Sequence, residues 1–186
     1  MTPDERRRSL VEATLPLLYT HGRGVTTRQI AEAAGVAEGT IFRVFPSKEE
    51  LVDEAIATAF APGQLLARLD DVDPGWPLEQ RLVKIVSILQ QRLLAVFGLM
   101  RACGMVTPPA QHDRAHHRAV QEEMSRRIGA LVAPDAARLS VPTDRLVHLL
   151  RLLTFSASHR DVADGDPLTP EEIVDVVLHG VLTRDH

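Results

Sequence analysis

From Leu10 onward, apolar side chains return every three or four positions along almost the whole chain, which is the spacing of one face of an α-helix. The strict alternation of a half-buried strand is scarce, so the pattern predicts an all-α fold. A first helix is expected from Pro3 to Tyr19, burying Leu10, Ala13, Leu17 and Leu18 and ending at Gly22. Pro16 lies inside it. An interior proline costs about 3 kcal/mol, so a kink or an early stop near Leu15 is expected.

The most informative stretch follows, VTTRQIAEAAGVAEGTIFRVFPSKEEL, from Val25 to Leu51. Thr26 can accept a backbone N–H at a helix start while Gln29 reaches back to complete a capping box. Ile30, Ala31 and Ala34 then share one helical face, and Gly35 supplies the positive φ of a sharp stop. A second short helix turns Val36, Ile41 and Phe45 inward and leaves Glu38, Gly39 and Arg43 outside. Pro46 ends it, and Ser47 with Glu50 forms another capping box that opens a third helix at Lys48. Two short helices around a glycine turn form the layout of a DNA-reading helix-turn-helix.

These residues resemble the TetR family of transcriptional regulators, whose signature runs T-x-R-x-I-A-x-x-A-G-V, then G-T-hydrophobic-aromatic-x-x-F, then P-S-K-E-x-L. The chain offers Thr26, Arg28, Ile30, Ala31, Ala34, Gly35, Val36, Gly39, Thr40, Ile41, Phe42, Phe45, Pro46, Ser47, Lys48, Glu49 and Leu51 in that order. The resemblance covers roughly the first 60 residues. It implies a helix-turn-helix domain over 1–46, a connecting helix over 47–60 and a helical ligand-binding and dimerisation domain over 61–186. It also implies contacts to double-stranded DNA from Thr26, Thr27, Arg28, Ala37, Glu38, Gly39, Thr40, Phe42, Arg43 and Lys48. Elementary chemistry agrees, since an arginine fork pairs with the O6 and N7 of guanine and a helix N-terminus favours anions. Arg28 and Arg43 are the expected base readers.

The chain departs from the family pattern at three places. Ala37 replaces a serine cap, a loss of about 1 kcal/mol in local helix stability. Phe42 lacks the hydroxyl of the usual tyrosine, and Val44 stands where histidine is common. Charge does not by itself favour DNA: the chain carries −4 overall, and residues 1–60 hold seven Lys and Arg against nine Asp and Glu. The positive side chains are nevertheless concentrated at Arg6 to Arg8, Arg23, Arg28, Arg43 and Lys48, and a local positive face still releases counterions from DNA.

Beyond the third helix, Asp70 to Pro77 (DDVDPGWP) and Thr107 to Gln111 (TPPAQ) are turn clusters, and Gly63 is a weaker break. Long helices are expected from Leu78 to Met100 and from Arg114 to Val132. Thr143 is expected to cap a helix through Ser158, and Thr169, Pro170 and Glu172 to open a last helix with a capping box. This C-terminal hairpin resembles the family's dimerisation element. The expected interface is Leu146, Leu149, Leu150, Leu153, Ile173, Val174, Val177 and Val181. A homodimer is also favoured because one recognition helix reads too few base pairs, so a palindromic operator is expected.

Between reader and hairpin, the family has a small-molecule pocket. Trp76, Leu89, Leu93, Phe97, Met100, Met105 and Phe155 are the apolar candidates, with Gln90, Cys103, His148 and His159 as polar orienters. His112 and His116, four apart with His117 adjacent, follow a Pro-Pro break and read as a solvated helix start, so no metal and no cofactor are predicted. There is no phosphate-cradling glycine loop, G-x-S-x-G elbow or H-E-x-x-H pair to suggest an enzyme. Cys103 is alone, the N-terminus begins with charge, and no apolar run approaches the roughly 20 residues that span a bilayer, so a cytoplasmic location without membrane contact is expected. The expected function is a repressor released from its operator by a ligand. The rivals are a helical interaction module that no longer reads DNA and a small helical enzyme.

Overall fold

The computed structural model describes residues 2–105 and 114–180, with the backbone alone over 114–117. The described residues are helical with no strand. They form two compact units. One comprises the chain up to Ala61 together with the stretch that begins at Val96, and the other comprises Pro62–Ala95 together with the residues beyond 113.

The first unit contains α1 (Pro3–His21), α2 (Thr27–Ala34), α3 (Glu38–Val44) and α4 (Lys48–Phe60). A capping box starts α1, with Thr2 accepting from the Glu5 amide and the Glu5 carboxylate receiving the Thr2 N–H. Contrary to the expected break, α1 runs unbroken through Pro16. The proline is exposed, while Thr14 and Leu18 on either side are fully buried. Packing of α1 on α2 and α4 therefore outweighs the missing backbone bond. The buried face also differs from the expected one: Val11 and Thr14 join Leu10 and Leu18 in the core, and Ala13 and Leu17 are only half-buried. Thr14 fits there because its hydroxyl donates to the Leu10 carbonyl at 2.7 Å.

Around this helix lie Ile30, Ile41, Phe45, Leu51, Val52 and Ile56, all buried, joined by Leu99 and Cys103 from the end of a longer helix, α6 (Leu78–Ala102). Gly22, with φ +56°, closes α1, and a Cβ there would run into the Ala102 carbonyl. Only glycine allows that approach.

The second unit holds α5 (Gly63–Asp70), most of α6, α7 (Arg114–Val132), a 3-10 segment (Ala133–Arg138), α8 (Thr143–Ser158) and α9 (Pro170–His179). The weak break expected at Gly63 falls just before it, between the end of α4 at Phe60 and the start of α5 at Gly63. Thr143 is the first residue of α8 and not its cap; Pro142 precedes it and no side chain caps the helix. The capping box at Thr169 forms as the sequence predicts, with Pro170 opening α9. Leu82, Ile85, Val86, Ile88, Ile128, Val132, Leu146, Leu150 and Ile173 are the heart of this core.

By length and composition α6 could cross a bilayer, contrary to the expectation that no segment could. Its inward positions are instead the spine of the helical core, and Arg81 near its start is buried against Asp135 and the Leu131 carbonyl. Arg127 of α7 ties α5 by bonding the Leu66 carbonyl at 2.9 Å and the Asp70 carboxylate.

Candidate nucleic-acid interface

The helix pair α2 and α3 is set by its ends. The Thr26 hydroxyl accepts the Gln29 amide at 3.2 Å, and the Gln29 side chain receives the Thr26 N–H at 2.9 Å, so both halves of the capping box form. Gly35 takes the left-handed conformation at φ 66° and ψ 33°, and the Val36 amide folds back to the Ala31 carbonyl at 2.9 Å. That closure satisfies the last carbonyls of α2 and reverses the chain into α3. Ala37 offers no side-chain cap to α3, which is held by Thr40 N–H to the Ala37 carbonyl at 2.8 Å and by the burial of Ile41 and Phe45.

With Ile41 inward, Glu38, Gly39, Phe42 and Arg43 form the exposed face of α3, and Phe42 is 54% exposed. An aromatic ring left in water on a helix whose other face is buried is available for contact with a partner. Arg28, on α2, is exposed as well. Among the described residues neither Arg28 nor Arg43 has an ion-pair partner, so both forks are open for phosphate or a base edge. Thr27 and Glu38, both candidate contacts, bond to one another through the Thr27 hydroxyl and a Glu38 carboxylate oxygen.

Two other positive charges in this unit are occupied by carboxylates. Arg7 is forked onto Glu54, and Arg23 pairs with Asp53 at 2.8 Å. The carboxylates of α4 thus neutralise two arginines that the sequence counts toward a positive face. Lys48 sits at the first position of α4, its ammonium 3.3 Å from the Arg23 carbonyl and 3.8 Å from Glu49. Ser47 caps that helix by accepting the Glu50 amide at 3.2 Å, although the reciprocal half of the expected capping box is not formed.

Residues 10–55 match the family described as bacterial regulatory proteins, tetR family. This segment is similar to the DNA-reading part of tetR-family proteins. The HTH-type transcriptional repressor KstR of Rhodococcus jostii is 38% identical over 88 residues, which are 47% of this chain and 39% of KstR. The match therefore spans less than half of that relative's length. Solved structures extend the likeness of fold to nearly the whole chain. A transcriptional regulator of Rhodococcus sp. Rha1 has a TM-score of 0.61 at 20% identity, covering 98% of this chain and 100% of that one. The regulator FadR of Bacillus subtilis, solved in complex with stearoyl-CoA, has a TM-score of 0.60 at 13% identity, covering 94% and 99%.

The expected pocket residues are divided between the two units. Cys103 is buried in the first unit's core with Met105 packed there too, and burial raises its thiol pKa, slightly opposed by Arg23. Gln90 is buried in the second unit, where its side chain donates to the Leu168 carbonyl at 2.6 Å. Leu89 is in the same core, Leu93, Phe97, Met100 and His159 are half-buried, and Trp76 and Phe155 are exposed. His148 lines an open cleft between α7 and α8.

The expected dimer residues also divide. Leu146, Leu150, Ile173 and Val174 are buried in the chain's own core, and Leu153 and Val177 pack against it. A second copy cannot reach the four buried ones, because α8 carries two apolar stripes and they belong to the inner one or to α9's inner face. The outer stripe is Leu149, Leu152 and Phe155, Val176 on α9 is exposed as well, and of the expected set only Leu149 belongs to the stripe. Val181, like His112, lies outside the described residues, as do the side chains of His116 and His117.

Proposed function

We propose that the protein is a homodimeric transcriptional repressor that reads a palindromic operator through α3 and is released by a small-molecule ligand, without catalysing a reaction. The observation that carries this reading is the pair of exposed arginines without ion-pair partners, Arg28 and Arg43, on helices joined at Gly35. Those forks can supply both phosphate anchoring and guanine readout. The name of KstR as a repressor supports the sign of regulation.

Dimerisation is supported by the outer apolar stripe. Leu152 is 52% exposed and Phe155 49%, three residues apart on one helix, and Val176 of α9 is exposed too. A two-fold pair of such hairpins buries both stripes and presents two recognition helices to successive major grooves about 34 Å apart. The FadR complex supports a ligand-responsive reading of the second unit. A ligand that prefers one arrangement of that unit by about 1–3 kcal/mol would weaken operator binding about 5- to 150-fold.

The test is fluorescence anisotropy with the DNA upstream of the protein's own gene and with random-sequence selection, each compared with a scrambled duplex over a salt series. Specific binding by two chains per site, falling steeply with salt and lost in Arg28→Ala, is expected. Equal affinity for scrambled and selected DNA would sink the proposal and leave the interaction-module reading.

A further inference from the structure

Between α7 and α8 the second unit opens a cleft of about 700 Å³, within the range of small-molecule sites. Arg151 of α8 lies on its wall, half-buried. Its Nη1 donates to the Ser125 hydroxyl at 2.9 Å and its Nη2 to the Gln121 side-chain oxygen, both neutral acceptors.

The guanidinium has no carboxylate partner among the described residues. Burial alone acts on Arg151, lowering its pKa, and no acidic group offsets it. That arrangement is unusual, because a charge withdrawn from water normally meets an opposite charge. Two other arginines withdrawn from water in this unit meet carboxylates: Arg81 pairs with Asp135, and Arg127 with Asp70 and Glu123. Arg118, also on the cleft wall, has no ion pair among the described residues, whereas Arg126 is taken by Glu123.

We infer that this cleft binds an organic anion, a carboxylate on an apolar body, with Arg151 as its counter-ion. An incoming carboxylate completes the charge pairing that the fold leaves open, and an arginine fork suits its two oxygens. Val147, Ala133 and the backbone at Gly129 supply an apolar wall for the rest of the molecule. Glu122 and Asp144 also line the cleft, without reaching Arg151, and disfavour a polyphosphate there while tolerating a single negative charge. The assignment deepens the ligand-responsive reading and rests on it for its regulatory consequence, while binding itself does not depend on DNA.

The test uses octanoate as the probe, with octan-1-ol and inorganic phosphate as controls, titrated calorimetrically into the full chain. Saturable octanoate binding is expected, with both controls weaker by about tenfold or more, since a hydrogen bond to a charged group contributes about 1.5–3 kcal/mol. Arg151→Met should weaken octanoate by a similar factor and Arg118→Met by a smaller one; the exposed Arg118 keeps the test valid should the Arg151 variant fold poorly. Equal affinity for octanoate and octanol, for octanoate and phosphate, or unchanged binding in both variants overturns the inference. Operator anisotropy separates the two readings. Octanoate binding that leaves DNA affinity unchanged keeps the cleft and rejects its regulatory role, whereas specific DNA binding without octanoate binding rejects the cleft alone.

Discussion

Arg7 on α1 and Glu54 on α4, 47 residues apart in the chain, form a forked ion pair with Nε at 2.8 and 3.0 Å from the two carboxylate oxygens. The same guanidinium lies 4.3 Å from the Phe45 ring centroid and donates through Nη1 to the Val44 carbonyl at 3.3 Å. One side chain therefore fastens the C-terminal end of the candidate recognition helix to both helices that frame it. The pair is partly exposed, so its Coulomb share is modest, but the stacking and the carbonyl bond add to it. Arg7→Met is expected to destabilise the protein by about 1–2 kcal/mol and Arg7→Lys by somewhat less. Urea unfolding of the three proteins checks this; identical midpoints would reduce Arg7 to a solvated surface charge.

Ala37 leaves the start of α3 without a side-chain cap, although its backbone is already in the extended conformation that a cap requires, φ −70° and ψ 142°. Ala37→Ser is thus expected to stabilise the protein by about 1 kcal/mol, visible as a higher melting temperature. A neutral or lower melting temperature would mean that another group already satisfies the first amides of α3.

Both positions bear on how much was legible in the sequence. Local chemistry was: the capping boxes at Thr26 and Thr169, the turn at Gly35 and the bounds of α4 and α7 follow from residues a few positions apart. Relations across the chain were not. Nothing in the periodicity marks Arg7 as the partner of Glu54, or Arg151 as lacking a carboxylate, because both depend on which helices meet. The outer stripe of α8 was hidden for a related reason. Leucines at 146, 149, 150, 152 and 153 spread over nearly half the helix circumference, and only packing decides which of them face the core. Pro16 failed as a stop signal because buried neighbours on both sides hold α1 together.

That outer stripe yields a direct test of assembly. Leu152→Glu places a charge at the centre of Leu149, Leu152 and Phe155 without touching the buried core, so the fold should survive. The variant is expected to run as a monomer in sedimentation velocity and to lose operator affinity by more than tenfold, since about half of the DNA contacts depend on the second copy. A Leu152→Glu protein that remains dimeric would move the interface elsewhere.

Acid should loosen the ties of α7. Hydrogen bonds from Arg126 and then Arg127 hold Glu123 down to a pKa of about 2, against an ordinary 4.5. A carboxylate whose folded pKa is depressed contributes stability that is present above about pH 4.5 and is lost as pH falls toward 2. Melting temperature should therefore fall across that window, and Glu123→Gln should flatten part of the slope. Because the group is exposed, the effect should shrink in high salt. Parallel pH profiles for the two proteins would show that the arginines do not act through Glu123.

Glu38 is the acidic side chain at the head of α3, held by the hydroxyl of Thr27 across the turn. Its position favours the helix, because a carboxylate in the first turn complements the N-terminal dipole. The same charge opposes the approach of phosphates, so its presence on the exposed face is useful to a DNA reader only where it meets a donor. Cytosine N4 is such a donor in the major groove, whereas guanine O6 and N7 are acceptors that repel it. Replacing Glu38 with Gln is therefore expected to strengthen binding to scrambled DNA while weakening the preference for a C·G pair at one position of each half-site, by about 1–3 kcal/mol. Competition anisotropy with single-base operator variants reads both effects at once. A variant that gains affinity for every sequence equally would show that Glu38 only tunes charge and that base selection rests on Arg28 and Arg43.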